Sequence, residues 1–130
     1  MRKTRRARKP IPVKHVVPFS NAEEAWFWFV RSERARREGA RLTESAASET
    51  RPCEPDDIYR AVMRLFHRRL IGRQHLKTLA EFGWRECPPD SRVREEEHPL
   101  CLWDDALDRL STELKAKGIV IYDDRAAQSG

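Results

Sequence analysis

The clearest pattern in the chain is the separation of apolar and basic positions at helical spacing between Pro55 and Leu70. At roughly 100° of rotation per residue, one side of a helix over this stretch carries Ile58, Val62, Leu65, Phe66 and Leu70. The opposite side carries Arg60, Arg64, His67 and Arg68. Pro55 suits a first helical turn because its missing N–H costs nothing there. The pattern therefore predicts an amphipathic helix over residues 55–70.

A second helix is predicted immediately after the first. Leu76, Leu79 and Ala80 recur at helical spacing. Gly72 and Gly83 are candidates for the left-handed residues that commonly end helices. We expect a helix over 73–82, joined to the first at Gly72 as a helical hairpin or a helix-turn-helix.

A helix over 21–38 is predicted before the hairpin. The stretch 20–24 holds the spacing of a capping box twice, starting at Ser20 or at Asn21. Four consecutive aromatic residues, 26–29, point all round such a helix, so one face cannot bury them. Either the other helices wrap around these rings, or part of them forms a protein interface through Trp26 and Trp28.

The last helix is predicted over 99–117. Leu100, Trp103, Leu107, Leu110 and Leu114 are spaced alternately by three and four residues. This seam is too short for a coiled coil, so we expect it to pack on the hairpin. Gly118 provides the end of the helix.

Together these elements predict an all-α fold, a small four-helix domain over 19–121. The residues expected in its core are Trp26, Phe29, Val30, Ile58, Val62, Leu65, Phe66, Leu76, Leu79, Trp103, Leu107, Leu110 and Leu114. Residues 1–18 are too charged and proline-rich to bury surface, which predicts a disordered basic arm. Residues 40–54 are predicted to form a flexible connector. Residues 119–122 should fold back on the core or add one short extended segment, and residues 122–130 should fray.

Charge is unevenly placed along the chain. The formal net charge is +5, but the arm holds Lys and Arg without any acid, so the domain itself is slightly negative. Overall basicity is thus a weak argument for a partner. The arm, with Arg5 and Arg6, is expected either to contact a phosphate backbone or to act as a solubilising tail.

No pattern of residues predicts a reaction, a metal site or a cofactor. His98 and Cys101 form one close pair of possible zinc ligands, whereas zinc sites usually show two such pairs. The three cysteines have no local catalytic signature, and all five glycines are isolated. An odd cysteine number without a secretory signal predicts free thiols in a reducing, cytoplasmic setting, and no apolar run is long enough to span a membrane.

Nucleic-acid binding, with duplex DNA as target and a regulatory role, is the function that the sequence favours. In a helix-turn-helix the second helix contacts base edges and the first crosses the backbone. The predicted phosphate contacts are Arg60, Arg64, Arg68, Arg73 and Lys77, and the predicted base contacts are Gln74, His75 and Thr78. One departure is Arg68, which falls where the common motif has a small packed residue.

The alternative is a protein–protein adaptor or regulator without nucleic acid, and a homodimer is one form of it. Its contact surfaces would be the aromatic first helix, through Trp26 and Trp28, and the acidic last helix. If neither function holds, the basic side of the hairpin is only a solvated surface.

Three short stretches resemble small uncharacterised helical proteins of alphaproteobacteria. They are Arg51–Ile58, the pairs Leu102-Trp103 and Ala106-Leu107, and Lys117–Val120. The resemblance covers about residues 19–121 and leaves the arm outside. It implies a bacterial cytosolic setting and transfers no site residues.

Overall fold

Four α-helices make up the domain in the computed structural model, which describes residues 16–39 and 50–121. The helices are α1 (Ala22–Arg37), α2 (Pro55–His67), α3 (Arg73–Arg85) and α4 (Glu97–Ala116). A short 3₁₀ turn, Arg94–Glu96, leads into α4. The predicted all-α class is confirmed. The predicted arm and tail fall almost wholly on residues 1–15 and 122–130, outside the described residues, as does 40–49 of the connector.

The helix starts follow the capping residues in the sequence. The backbone N–H of Glu24 donates to the Asn21 side chain at 2.8 Å, and the Ser20 N–H donates to the Glu24 carboxylate at 2.7 Å. Asn21 rather than Ser20 is thus the N-cap of α1, and the bond to the Glu24 carboxylate comes from the residue before the cap instead of from the cap itself. Glu23 is left to accept a hydrogen bond from the Trp103 indole at 3.0 Å, which ties α1 to α4.

The corner between α2 and α3 differs from the prediction. We expected Gly72 to be left-handed, but its φ is −114° and it is the N-cap of α3. The left-handed residue is Arg69, with φ of 64°, and α2 ends at His67 rather than at residue 70. Because the chain turns at Arg69, Ile71 is buried at 4% exposure and Leu70 is 42% exposed.

Gly83 does not end α3, contrary to the prediction. It lies inside the helix, which continues to Arg85 and ends at Glu86 with φ of 57°. A Cβ at Gly83 would lie 2.6 Å from the Trp26 indole nitrogen and 3.0 Å from a Val30 methyl. The glycine therefore lets α1 approach α3 closely.

Most of the predicted core is buried, and two of its members are not. Phe66 and Leu76 are half-buried against the core, whereas the other predicted core side chains are buried. The core also contains residues that the helical pattern did not indicate, which are Phe19, Ala22, Ala25, Ala61, Ile71, Phe82, Ala106, Ile119 and Val120. Each of α2 and α3 packs on both α1 and α4, but α2 and α3 make little contact with each other.

Both ends of the domain meet in short extended contacts. Phe19 and Val120 form a parallel bridge, in which the Phe19 N–H donates to the Ile119 carbonyl at 2.9 Å. The segment after α4 thus folds back on the core and also adds an extended contact, so both forms of the prediction hold. The Val17 N–H donates to the Thr50 carbonyl at 2.8 Å. Residues 16–18 and 50–54, which we had assigned to the arm and the connector, therefore belong to the fold.

Within residues 16–39 and 50–121, no helix combines the length and the apolar character needed to cross a membrane.

Candidate nucleic-acid interface

The basic side of α2 is largely neutralised by nearby carboxylates. Arg64 and Arg68 both face Glu113 of α4, with nitrogen–oxygen distances of 3.2 and 3.6 Å. Arg60 lies 3.5 Å from the carboxylate of Asp57, one turn earlier on its own helix. These arginines would have to exchange existing ion pairs for phosphate contacts.

His75 holds the start of α3 in place. Its Nδ1 accepts a hydrogen bond from the Gly72 N–H at 3.0 Å, so the proton is assigned to Nε2, which lies 2.8 Å from the Asp105 carboxylate. Asp105 in turn accepts from Arg109 at 3.3 Å. Both ring nitrogens thus have partners inside the protein, so the predicted base contact by His75 would require at least one of these bonds to break.

Thr78, another predicted base contact, is buried. Its side chain is only 6% exposed and lies on the buried face of α3, with Leu79 and Phe82. A base edge could not reach it unless α3 left the core.

Three predicted contacts do lie together on the surface. Arg73, Gln74 and Lys77 occupy the first turns of α3 and are exposed. Among the described residues, neither Arg73 nor Lys77 has a carboxylate within ion-pair distance. The exposed start of α3 thus presents two cations without a carboxylate partner in the described part of the chain, together with an amide that can both donate and accept hydrogen bonds.

The corner before α3 adds residues that the sequence argument did not assign to the site. Arg69 is exposed and, like His67 and Arg73, lines a concave surface of about 570 Å³ at the turn. The helix predicted over 55–70 would have continued through Arg69. The left-handed turn at Arg69, which no local sequence signal indicated, places it beside the start of α3 instead. The first N–H groups of a helix also favour anions.

The tryptophans predicted as an interface pack inside the domain. Trp26 is buried, and its indole N–H donates to the Leu79 carbonyl at 2.9 Å. Trp26 therefore has little exposed surface to offer to a protein partner. Trp28 is half-buried, with its ring centroid 5.1 Å from that of Phe19. The aromatic cluster of α1 is mainly wrapped by the other helices, which was the first of the two predicted alternatives.

The three cysteines are free thiols that differ in their exposure. Burial, with help from the nearby Asp57 and Glu54 carboxylates, raises the pKa of Cys53 from 9.0 to about 11. Cys87 and Cys101 are exposed. In the part of the chain that the structure describes, no three histidine, cysteine or acidic side chains converge as metal ligands.

The described residues define a small all-α protein in which three exposed cations without a carboxylate partner, Arg69, Arg73 and Lys77, lie at the α2–α3 corner and the first turns of α3. No family model, no curated protein and no solved structure matches the chain. A function must therefore be argued from this geometry. The predicted arm contacts Arg5 and Arg6 lie outside the described residues.

Proposed function

We propose that this protein binds nucleic acid, in the first place duplex DNA, through the α2–α3 corner and the first turns of α3. The role would be regulatory and the setting the cytoplasm. The proposal assigns binding and no reaction to the chain.

The proposal depends on one observation, which is that three exposed cations near this corner lack a carboxylate partner within the described ranges. Arg69, Arg73 and Lys77 are exposed and have no carboxylate partner among the described residues, and they follow one another around a single corner. The basic side of α2, by contrast, is held by Asp57 and Glu113. Each phosphate neutralised by such a cation releases counterions, which drives binding at low salt.

Gln74 is the residue best placed to add sequence preference. Its exposed amide lies between the two α3 cations along the chain, and glutamine can bond adenine through two hydrogen bonds in the major groove. Arg73 and Lys77 would fix the position of the helix, and Gln74 would contact a base edge. Arg5 and Arg6 of the predicted arm would add further phosphate contacts.

The test is fluorescence anisotropy with a labelled duplex pool at several salt concentrations. Changing Arg73 and Lys77 together to Gln should lower the slope of log affinity against log salt by about 1.8. The matched control, Arg31→Gln with Arg92→Gln, removes the same charge from exposed sites on α1 and the loop before α4, and should leave the slope within experimental error. An equal effect of both pairs, or no duplex binding at about 50 mM salt, would exclude the proposed interface.

Protein binding through α4 is the second candidate, and one observation favours it. Asp104 and Asp108 are exposed, lie one turn apart and form no ion pair with a described residue, whereas Asp105 and Glu113 are engaged. A basic partner would fit this stripe. Sedimentation of the full chain with bacterial extract fractions should then show a complex that Asp104→Asn with Asp108→Asn weakens, and a complex insensitive to that change would count against the stripe.

A further inference from the structure

An open groove of about 650 Å³ lies between α1, α2 and α3, away from the basic corner. Trp26 and Phe29 of α1 form its floor, Val62 and Met63 of α2 one wall, and Leu76 and Trp84 of α3 the other. The groove exists because α2 and α3 each pack on α1 and α4 but hardly touch each other. Its volume and apolar lining are those of sites that bind small organic molecules.

Two aromatic rings at this groove are exposed and yet held in position. Tyr59 is 49% exposed and stacks on Phe29 at a centroid distance of 6.0 Å. Trp84 is 48% exposed, and the Arg34 guanidinium lies 4.3 Å from its ring centroid. Arg34 is itself held by the Glu86 carboxylate and the Trp84 carbonyl. Rings fixed in this way offer flat apolar surface to a ligand at little cost in conformational entropy.

The charges on the groove lining indicate the sign of the ligand. Glu33 and Asp56 line the groove, and the Arg36 guanidinium lies 3.1 Å from Glu33 and 4.0 Å from Asp56. Asp56 also lies in the first turn of α2, where the helix dipole favours its charge. Arg37 lines the groove too, 5.9 Å from the Trp84 ring, and has no carboxylate partner among the described residues. Of the charged side chains that line the groove, Arg37 is thus the one without an ion-pair partner among the described residues, and a guanidinium binds carboxylates through paired hydrogen bonds.

We propose that this groove binds a small apolar organic anion, an aromatic carboxylate of naphthalene size. Its ring system would lie between Trp84 and Tyr59, and its carboxylate would bind Arg37. The proposal does not depend on nucleic-acid binding, since Arg37, Tyr59 and Trp84 are not among the residues proposed to contact nucleic acid.

Two probes that differ in one charge test the proposal: 2-naphthoate and its neutral amide, 2-naphthamide. Each is titrated into the full chain and followed by two-dimensional NMR. Both should shift the Trp84 indole and Met63 methyl signals and leave the Trp103 indole, which is buried and bonded to Glu23, unchanged. The acid should bind more tightly than the amide.

Variants then separate the charge from the apolar surface. Arg37→Gln should weaken the acid about tenfold, the loss of one charge-assisted contact, and leave the amide unaffected. The matched control Arg31→Gln, on the same helix but outside the groove lining, should change neither. Ala80→Phe adds a ring at an exposed groove position and should block both probes without altering the core.

Several outcomes would overturn the proposal. These are shifts confined to other residues, equal binding of acid and amide that Arg37→Gln leaves unchanged, and no binding of either probe. Groove signals that move with protein concentration alone, and that neither probe displaces, would assign the groove to a second copy of the chain instead.

Discussion

Substituting Gly83 by alanine should destabilise this protein, although the change favours a helix. Gly83 is buried inside α3, and a Cβ there would lie 2.6 Å from the Trp26 indole nitrogen. No ordinary contact is that short, so the indole must move. Its N–H then loses the bond to the Leu79 carbonyl, now 2.9 Å long.

Opposing effects set the size of the loss. Alanine is better than glycine in a helix interior by about 1 kcal/mol. An extra methyl group in a packed core costs about 1–3 kcal/mol, and an unsatisfied buried donor about 1–3 kcal/mol. The unfavourable effects win, and we expect the free energy of unfolding to fall by about 2 kcal/mol. For a domain of this size the melting temperature should fall by roughly 10 °C.

Urea unfolding followed by circular dichroism measures the change. Trp26→Phe is the matched background, since it removes the indole nitrogen that the new methyl group would meet. In that background Gly83→Ala should cost clearly less than in the natural chain. A gain of about 1 kcal/mol in the natural chain, as helix propensity alone predicts, would show that α1 and α3 do not approach at Gly83.

Three further predictions concern the core, the helix cap and the thiol. Phe66→Ala should lower the free energy of unfolding by about 1–2 kcal/mol and Leu110→Ala by about 3–4 kcal/mol, because Phe66 is half-buried and Leu110 fully buried; equal losses in urea titrations would contradict this. His75→Ala should cost about 1 kcal/mol through the lost cap but leave any base preference unchanged in a binding-site selection, and an altered preference would restore His75 as a base contact. Cys53 should react with iodoacetamide at pH 8 about 100-fold more slowly in the folded chain than in urea. The reason is that a pKa of about 11 instead of 9.0 lowers the thiolate fraction by that factor. Mass spectrometry of the labelled peptide measures the two rates. Since the unfolded thiol ionises first, Cys53 favours the folded state below pH 9, and this contribution is lost as the pH rises towards 11.

The helices could be predicted because their signals are local. The apolar periods of α2 and α4 and the cap at Asn21 depend on residues within a few positions of one another, and the structure has helices at each place. The end of α2 could not be predicted in the same way. Arg69 adopts a left-handed backbone although glycine is the usual residue there. Because the helix ends before this residue, Ile71 lies in the core and Leu70 at the surface.

The burial of the chain ends depended on contacts far apart in sequence. Phe19 is fully buried and bridged to Val120, and the Arg51 guanidinium lies 4.3 Å from its ring centroid. These partners lie about 30 and 100 residues away, and no periodic pattern links them. The sequence therefore indicated that residues 119–122 fold back, but not that they meet the segment before α1.

The site shows why a count of basic residues differs from the charge that a partner can use. Along α2 the arginines recur on one side, which is the pattern of a phosphate-binding face. Glu113 lies 49 positions after Arg64 and 45 after Arg68. When α4 packs on α2, the Glu113 carboxylate forms ion pairs with both arginines. At the start of α3, by contrast, the Asp105 carboxylate of α4 is engaged by His75 and Arg109, and Arg73 and Lys77 have no ion-pair partner among the described residues. Packing by α4 thus moves the available positive charge from α2, where the sequence has most of it, to the corner at Arg69 and the first turns of α3.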